Sequence, residues 1–98
     1  MKAHADISII PIGVGVSLSK YVAACERVFR DAGLDPHLHA FGTEIEGEWD
    51  TVMTAVRRCH DVVHEMGAPR ITTTVKLSTR VDRQQSLADK VASVRNQL

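Results

Sequence analysis

The spacing of apolar residues switches repeatedly between a period of two and a helical period, and the order of those switches restricts the fold more than any single motif. Ala3, Ala5, Ile7 and Ile9 alternate with His4, Asp6 and Ser8, the pattern of a half-buried strand. Pro11-Ile12-Gly13-Val14-Gly15 reads as strand end and loop, after which Ser17 or Ser19 is placed to cap a helix. From Ser19 to Ala32 the residues Tyr21, Cys25, Val28, Phe29 and Ala32 form a helical stripe, which Gly33 ends. Pro36 opens a second alternating run, His37 to Phe41, and Gly42-Thr43 is expected to turn it into Glu44-Ile45-Glu46. A second helix starts near Trp49 or Asp50, with Trp49, Val52, Met53, Val56, His60 and Val63 as its expected buried stripe, and stops at Gly67 and Pro69.

Residues 70–78 alternate again, Ile71, Thr73, Val75 and Leu77 against Thr72, Thr74, Lys76 and Ser78. A last helix follows, with Asp82 and Gln85 at capping-box spacing and Leu87, Val91, Val94 and Leu98 along its apolar face. The order βαββαβ plus a C-terminal helix predicts one α+β domain over residues 1–98, a ferredoxin-like antiparallel sheet. Both long helices should cover one face. The other would carry His4, Asp6, Ser8, His37, His39, Phe41, Glu44, Glu46, Thr72 and Thr74, with Ile10 and Phe41 apolar enough to meet a second subunit.

Composition narrows the function. Twelve Lys and Arg balance twelve Asp and Glu, so no basic face is available to displace counterions and nucleic acid is not an expected partner. The nearly apolar stretch from Ile9 to Val16 is short and broken by Pro11, Gly13 and Gly15, which argues against a membrane span. Lys2, His4 and Asp6 interrupt any secretory apolar core, so a cytoplasmic protein is expected. Zero net charge favours self-association.

Several residue groups invite chemistry. Gly13-Val14-Gly15 resembles the start of a dinucleotide fingerprint, but Leu18 stands where its third glycine belongs and the order of elements is not a Rossmann series. The plain alternative is a loop of small residues, from which Ser17 and Ser19 could present hydroxyls to a polar ligand. His60 and His64 have the i, i+4 spacing of zinc hydrolases, with Asp61 where those need Glu and no evident third ligand; one packed and one exposed histidine is the simpler account, and no metal site is expected. Cys25 and Cys59 lack redox-pair spacing and read as buried thiols. Glu44, Glu46, Glu48 and Asp50 are either a solvated hairpin and an acidic helix start, or, with Phe41 and the histidines, a face suited to an organic cation.

IIPIG at 9–13, SLSKYVA at 17–23, GTEIEGEWDTVM at 42–53, CH at 59–60 and TTTVKLSTRVDR at 72–83 together resemble the small thiamine-binding protein family. That resemblance spans nearly the whole chain. It implies a ferredoxin-like domain assembled through its sheets into homodimers and homotetramers, and binding of thiamine or its hydroxymethylpyrimidine moiety near a subunit interface, with neither catalysis nor a resident cofactor. By matching position, Gly42 and Thr43 would shape a hairpin beside the ligand, Glu46 would face the pocket, and Ser17 and Ser19 would add hydroxyl contacts. Val14 departs from the hydroxyl residue many relatives have after the first loop glycine. Gly47 and Trp49 have a structural alternative, a tight strand-to-helix turn and a core anchor. The rival function, from another class, is a regulatory or interaction module that binds a different effector or a protein.

Overall fold

The computed structural model describes all of residues 1–98. In chain order the elements are β1 (Lys2–Ile12), α1 (Ser19–Asp31), β2 (His37–His39), β3 (Gly42–Glu48), α2 (Trp49–Glu65), β4 (Arg70–Thr79) and α3 (Leu87–Arg95). The four strands form one sheet in the order β2-β3-β1-β4, every neighbouring pair antiparallel. β3 therefore lies between β1 and β2, the split-βαβ topology of a ferredoxin-like α+β domain.

The odd residues of β1 face the helices: Ala3, Ala5, Ile7 and Ile9 are buried with Ile45 of β3, against Phe29 of α1 and Val52 and Val63 of α2. Both long helices end in the same way. Gly33, at a positive φ of 74°, donates its N–H to the Arg30 carbonyl while Leu34 donates to Phe29; Gly67, at 105°, donates to His64 while Ala68 donates to Val63. These paired bonds are Schellman motifs, and the left-handed conformation they require is why glycine stands at both positions.

Four local expectations are corrected. α1 starts after Leu18 with no side-chain cap, so neither Ser17 nor Ser19 caps it. The buried face of α2 is Val52, Ala55, Val56, Cys59 and Val63; Trp49 and His60 are only half-buried and Met53 is exposed. Ala55 and Cys59 take the centre because small side chains let two helices approach closely. The β2–β3 turn is Ala40-Phe41, and Gly42 and Thr43 already belong to β3, paired with His39 and Leu38. Finally, the capping box of α3 is Ser86 and Asp89: Ser86 Oγ accepts the Asp89 N–H at 3.0 Å and Asp89 Oδ2 accepts the Ser86 N–H at 2.9 Å.

Asp82 instead pairs with Arg80, whose Nε donates to Oδ1 at 2.6 Å and whose Nη2 donates to Oδ2 at 2.8 Å. This bidentate guanidinium holds the Asp82 carboxyl at about 2, below its ordinary 3.8. A depressed carboxyl stabilises the fold above its unfolded value and loses that contribution as pH falls through the folded one. A carboxyl-detected NMR titration should find the Asp82 midpoint at about 2, and Arg80→Gln should return it toward the ordinary value. An unchanged midpoint in that variant would deny the pairing.

The second face of the sheet is only partly open. α3 lies over its β3 side, where the Leu87 N–H donates to Glu46 Oε2 at 3.3 Å and His4 is buried. None of the residues of α3 is buried, and Val91, Val94 and Leu98 of its expected apolar face are exposed.

Candidate functional site

The two sides of β1 pair over different lengths. Pairing with β4 runs to Ile12↔Arg70, whereas pairing with β3 stops at Ile7↔Thr43 because the chain turns away at Ala40-Phe41. A gap is left beside Ser8 to Ile12, roofed by α1. A cleft of about 340 Å³ fills it, walled by Ile7 to Ile10 of β1, Leu18, Val22, Cys25 and Phe29 of the α1 segment, and Leu38 to Thr43 of the hairpin. That volume accommodates one small heterocyclic ligand, and the wall has the usual composition of such sites, apolar with few polar groups.

The hairpin wall is fixed from both sides of the sheet. His39 Nε2–H donates to Asp6 Oδ1 at 2.7 Å, and its Nδ1 accepts the Phe41 N–H at 3.2 Å, so one imidazole ties the turn to β1 and also closes it. On the helix side the buried Thr43 hydroxyl donates to Glu26 Oε1 at 2.5 Å, linking β3 to α1. Gly42 is required by proximity: a Cβ there would sit 2.7 Å from the Ile7 carbonyl oxygen and 3.2 Å from Asp6 Oδ1. Behind Cys25, Cys59 is fully buried, its Sγ 3.9 Å from the Cys25 carbonyl. Its thiol is pushed up by the hydrogen bond with Cys25 and by burial, so it stays protonated.

Among the residues singled out in the sequence, Gly42 and Thr43 line this cleft. Ser17 and Ser19 are exposed on either side of Leu18, which is the residue of that segment that reaches the wall. Glu46 lies on the opposite face of the sheet. Its Oε2 is 3.3 Å from His4 Nε2 and 3.5 Å from Lys2 Nζ, and it lines a separate groove with His37, Glu44, Leu87 and Val91 beneath α3. Glu46 thus sits beside the Lys2 ammonium and the His4 ring of this same chain.

His60 and His64 are turned to protein partners. His60 Nε2 lies 2.6 Å from Thr73 Oγ1, and His64 Nδ1–H donates to the Ala68 carbonyl at 2.8 Å. Their rings, 6.2 Å apart and inclined by 61°, brace α2 against β4 and against the turn between the two. The residues missed in the sequence are His39 as latch and Val22 and Phe29 as walls. The alternation His37-Leu38-His39 placed His39 on the same face as Asp6, which was the available signal.

The family described as "Thiamine-binding protein" matches residues 5–95, most of the sheet and all three helices included. The chain belongs to the thiamine-binding protein family. UPF0045 protein sll0230 of Synechocystis is 51% identical over 94 residues, covering 96% of this chain and 78% of its own. The hypothetical protein MJ1052 of Methanocaldococcus jannaschii, a crystal structure, superposes with a TM-score of 0.89 at 32% identity, covering 96% of both chains. A candidate thiamine biosynthesis/salvage protein of Thermotoga maritima has a TM-score of 0.82 at 17% identity, covering 97% of this chain and 100% of its own, which shows a shared fold and no more. In this member of the thiamine-binding protein family the GTEIEGEW run is explained in part by geometry: Gly42 by the clash a Cβ would make with the Ile7 carbonyl, and Thr43 by its bond to Glu26.

Proposed function

We propose that this protein binds thiamine, or the hydroxymethylpyrimidine half of it, in the cleft between the β1 edge, α1 and the β2–β3 hairpin, and acts as a binder rather than a catalyst. The observation that carries the reading is the cleft itself: in a chain of the thiamine-binding protein family, the early end of β3 leaves a space of about 340 Å³, mostly apolar and floored by buried core residues. Thr43 and Gly42 are the site residues of this reading. Glu46, on the far face with Lys2 and His4, serves to hold α3.

The rim supports assembly into a homodimer or homotetramer, in which a second copy covers the ligand. Phe41 is 87% exposed and Leu38 62%, with Ile10 beside them. An aromatic side chain left outside at the lip of a binding cleft is a common anchor of interfaces. Sedimentation should give a species larger than the monomer, and Phe41→Glu should shift it toward the monomer; a monomeric parent at micromolar concentration would remove this part of the reading.

Calorimetric titration tests the ligand. Thiamine and hydroxymethylpyrimidine should each bind, and Val22→Trp, which places an indole in the cleft, should weaken both at least tenfold, about 1.4 kcal/mol. Absence of binding by both at millimolar ligand overturns the reading.

A further inference from the structure

We propose that the main chain of Ile9 is the specificity-determining group of this cleft, reading the amidine edge of an aminopyrimidine ring as if the ring were the missing next residue of β3. The inference rests on the cleft being the ligand site.

The parity of the strand carries it. The Trp49 N–H donates to the Met1 carbonyl at 2.8 Å, one step outside the pair Lys2↔Glu48. Narrow hydrogen-bonded pairs alternate along an antiparallel ladder, so the odd residues of β1 exchange their N–H and C=O with β3 and the even ones with β4. Ala3, Ala5 and Ile7 thus find Gly47, Ile45 and Thr43. Ile9 is the next in that series, and the pairing has ended. The unbroken β1–β4 register excludes a bulge that would turn it the other way. Its N–H and C=O consequently point to the side occupied by the cleft, of which Ile9 is a wall residue.

Main-chain groups at a largely buried residue need partners. The complement of one strand residue is a group with an acceptor and a donor side by side. An aminopyrimidine has that order: the ring nitrogen next to the exocyclic amine accepts the Ile9 N–H, and the amine donates to the Ile9 carbonyl. The ring then continues the plane of the sheet, with Leu18 and Val22 of the α1 side over one face. The oxo analogue, in which a carbonyl replaces the amine and the ring nitrogen carries hydrogen, has the opposite order. It meets Ile9 only when turned over, which moves its hydroxymethyl group to the wrong end of the cleft.

Amide proton–nitrogen correlation spectra of the intact protein, titrated with hydroxymethylpyrimidine and then with its oxo analogue, test this. The expected result is a downfield shift of the Ile9 amide proton on saturation, larger than those of Ser8 and Ile10, whose N–H groups are already in the β4 ladder, and at least tenfold weaker binding of the oxo compound. Saturable binding that leaves the Ile9 amide unmoved, or equal affinities for the two compounds, overturns the role of Ile9 and leaves the cleft as the thiamine site. Failure of both pyrimidines and of thiamine to perturb any cleft residue overturns both.

Discussion

Phe29→Ala is expected to lower stability by about 3–5 kcal/mol, the usual cost of truncating a buried aromatic without collapse of its surroundings. Phe29 is 1% exposed and packs where α1, α2 and the helix-facing side of the sheet meet. Its neighbours cannot close the void readily, since Ile7 and Ile45 are held in paired strands and Leu34 by the Schellman turn. For a domain near this size each kcal/mol corresponds to roughly 4–8 °C in Tm, so thermal unfolding should show the largest single-residue shift here. Phe29 is also a cleft wall, so any folded remainder should bind the pyrimidine more weakly. A loss below about 1 kcal/mol would mean that the core relaxes around the site far more than such truncations usually allow.

Gly42→Ala should have the second largest effect, and a different signature. The added methyl group would sit 2.7 Å from a backbone oxygen of Ile7, an atom that is not the end of a flexible chain. Either the hairpin lifts from β1 or the strand pair slips, a cost of about 1–3 kcal/mol for overpacking. Lifting the hairpin also lengthens the His39–Asp6 bond, so ligand affinity should fall with stability. Gly47→Ala is the useful comparison. There the new Cβ would meet Leu34 Cδ2, a side-chain tip that can swing aside, so stability should fall less and the cleft should be unaffected. Urea unfolding of the three proteins ranks them; equal losses for the two substitutions would show that the Ile7 contact is not what requires glycine at 42.

The order of elements was legible because strand and helix periods are local properties, and the helix ends because Gly33 and Gly67 stand where a left-handed residue is needed. The rest depended on partners that a local reading does not contain. Large apolar residues drew the α2 stripe toward Trp49 and Met53, whereas contact with α1 selects the small residues Ala55 and Cys59. Local spacing makes Gly42 a turn former; in the fold it is a strand residue whose lack of a side chain admits the Ile7 carbonyl. Asp82 and Gln85 had capping-box spacing, but Arg80 engages both, and Ser86 with Asp89 takes the role. Least legible was the cleft. It arises from the register at which β3 stops beside β1, and no local pattern encodes the relative lengths of two strands paired across forty residues.

Pro11 lies in a strand that has a neighbour on each side in the sheet, a place where proline is usually excluded. As an odd residue its nitrogen faces the gap rather than β4, so no ladder bond is lost. The same placement limits what can dock there. A foreign strand growing along the bare margin of β1 would gain a full exchange at Ile9 and then meet a position with no hydrogen to give, so the next pair would lose one of its two bonds. Proline at this position therefore disfavours the addition of a polypeptide strand, which guards the sheet margin against amyloid-like propagation.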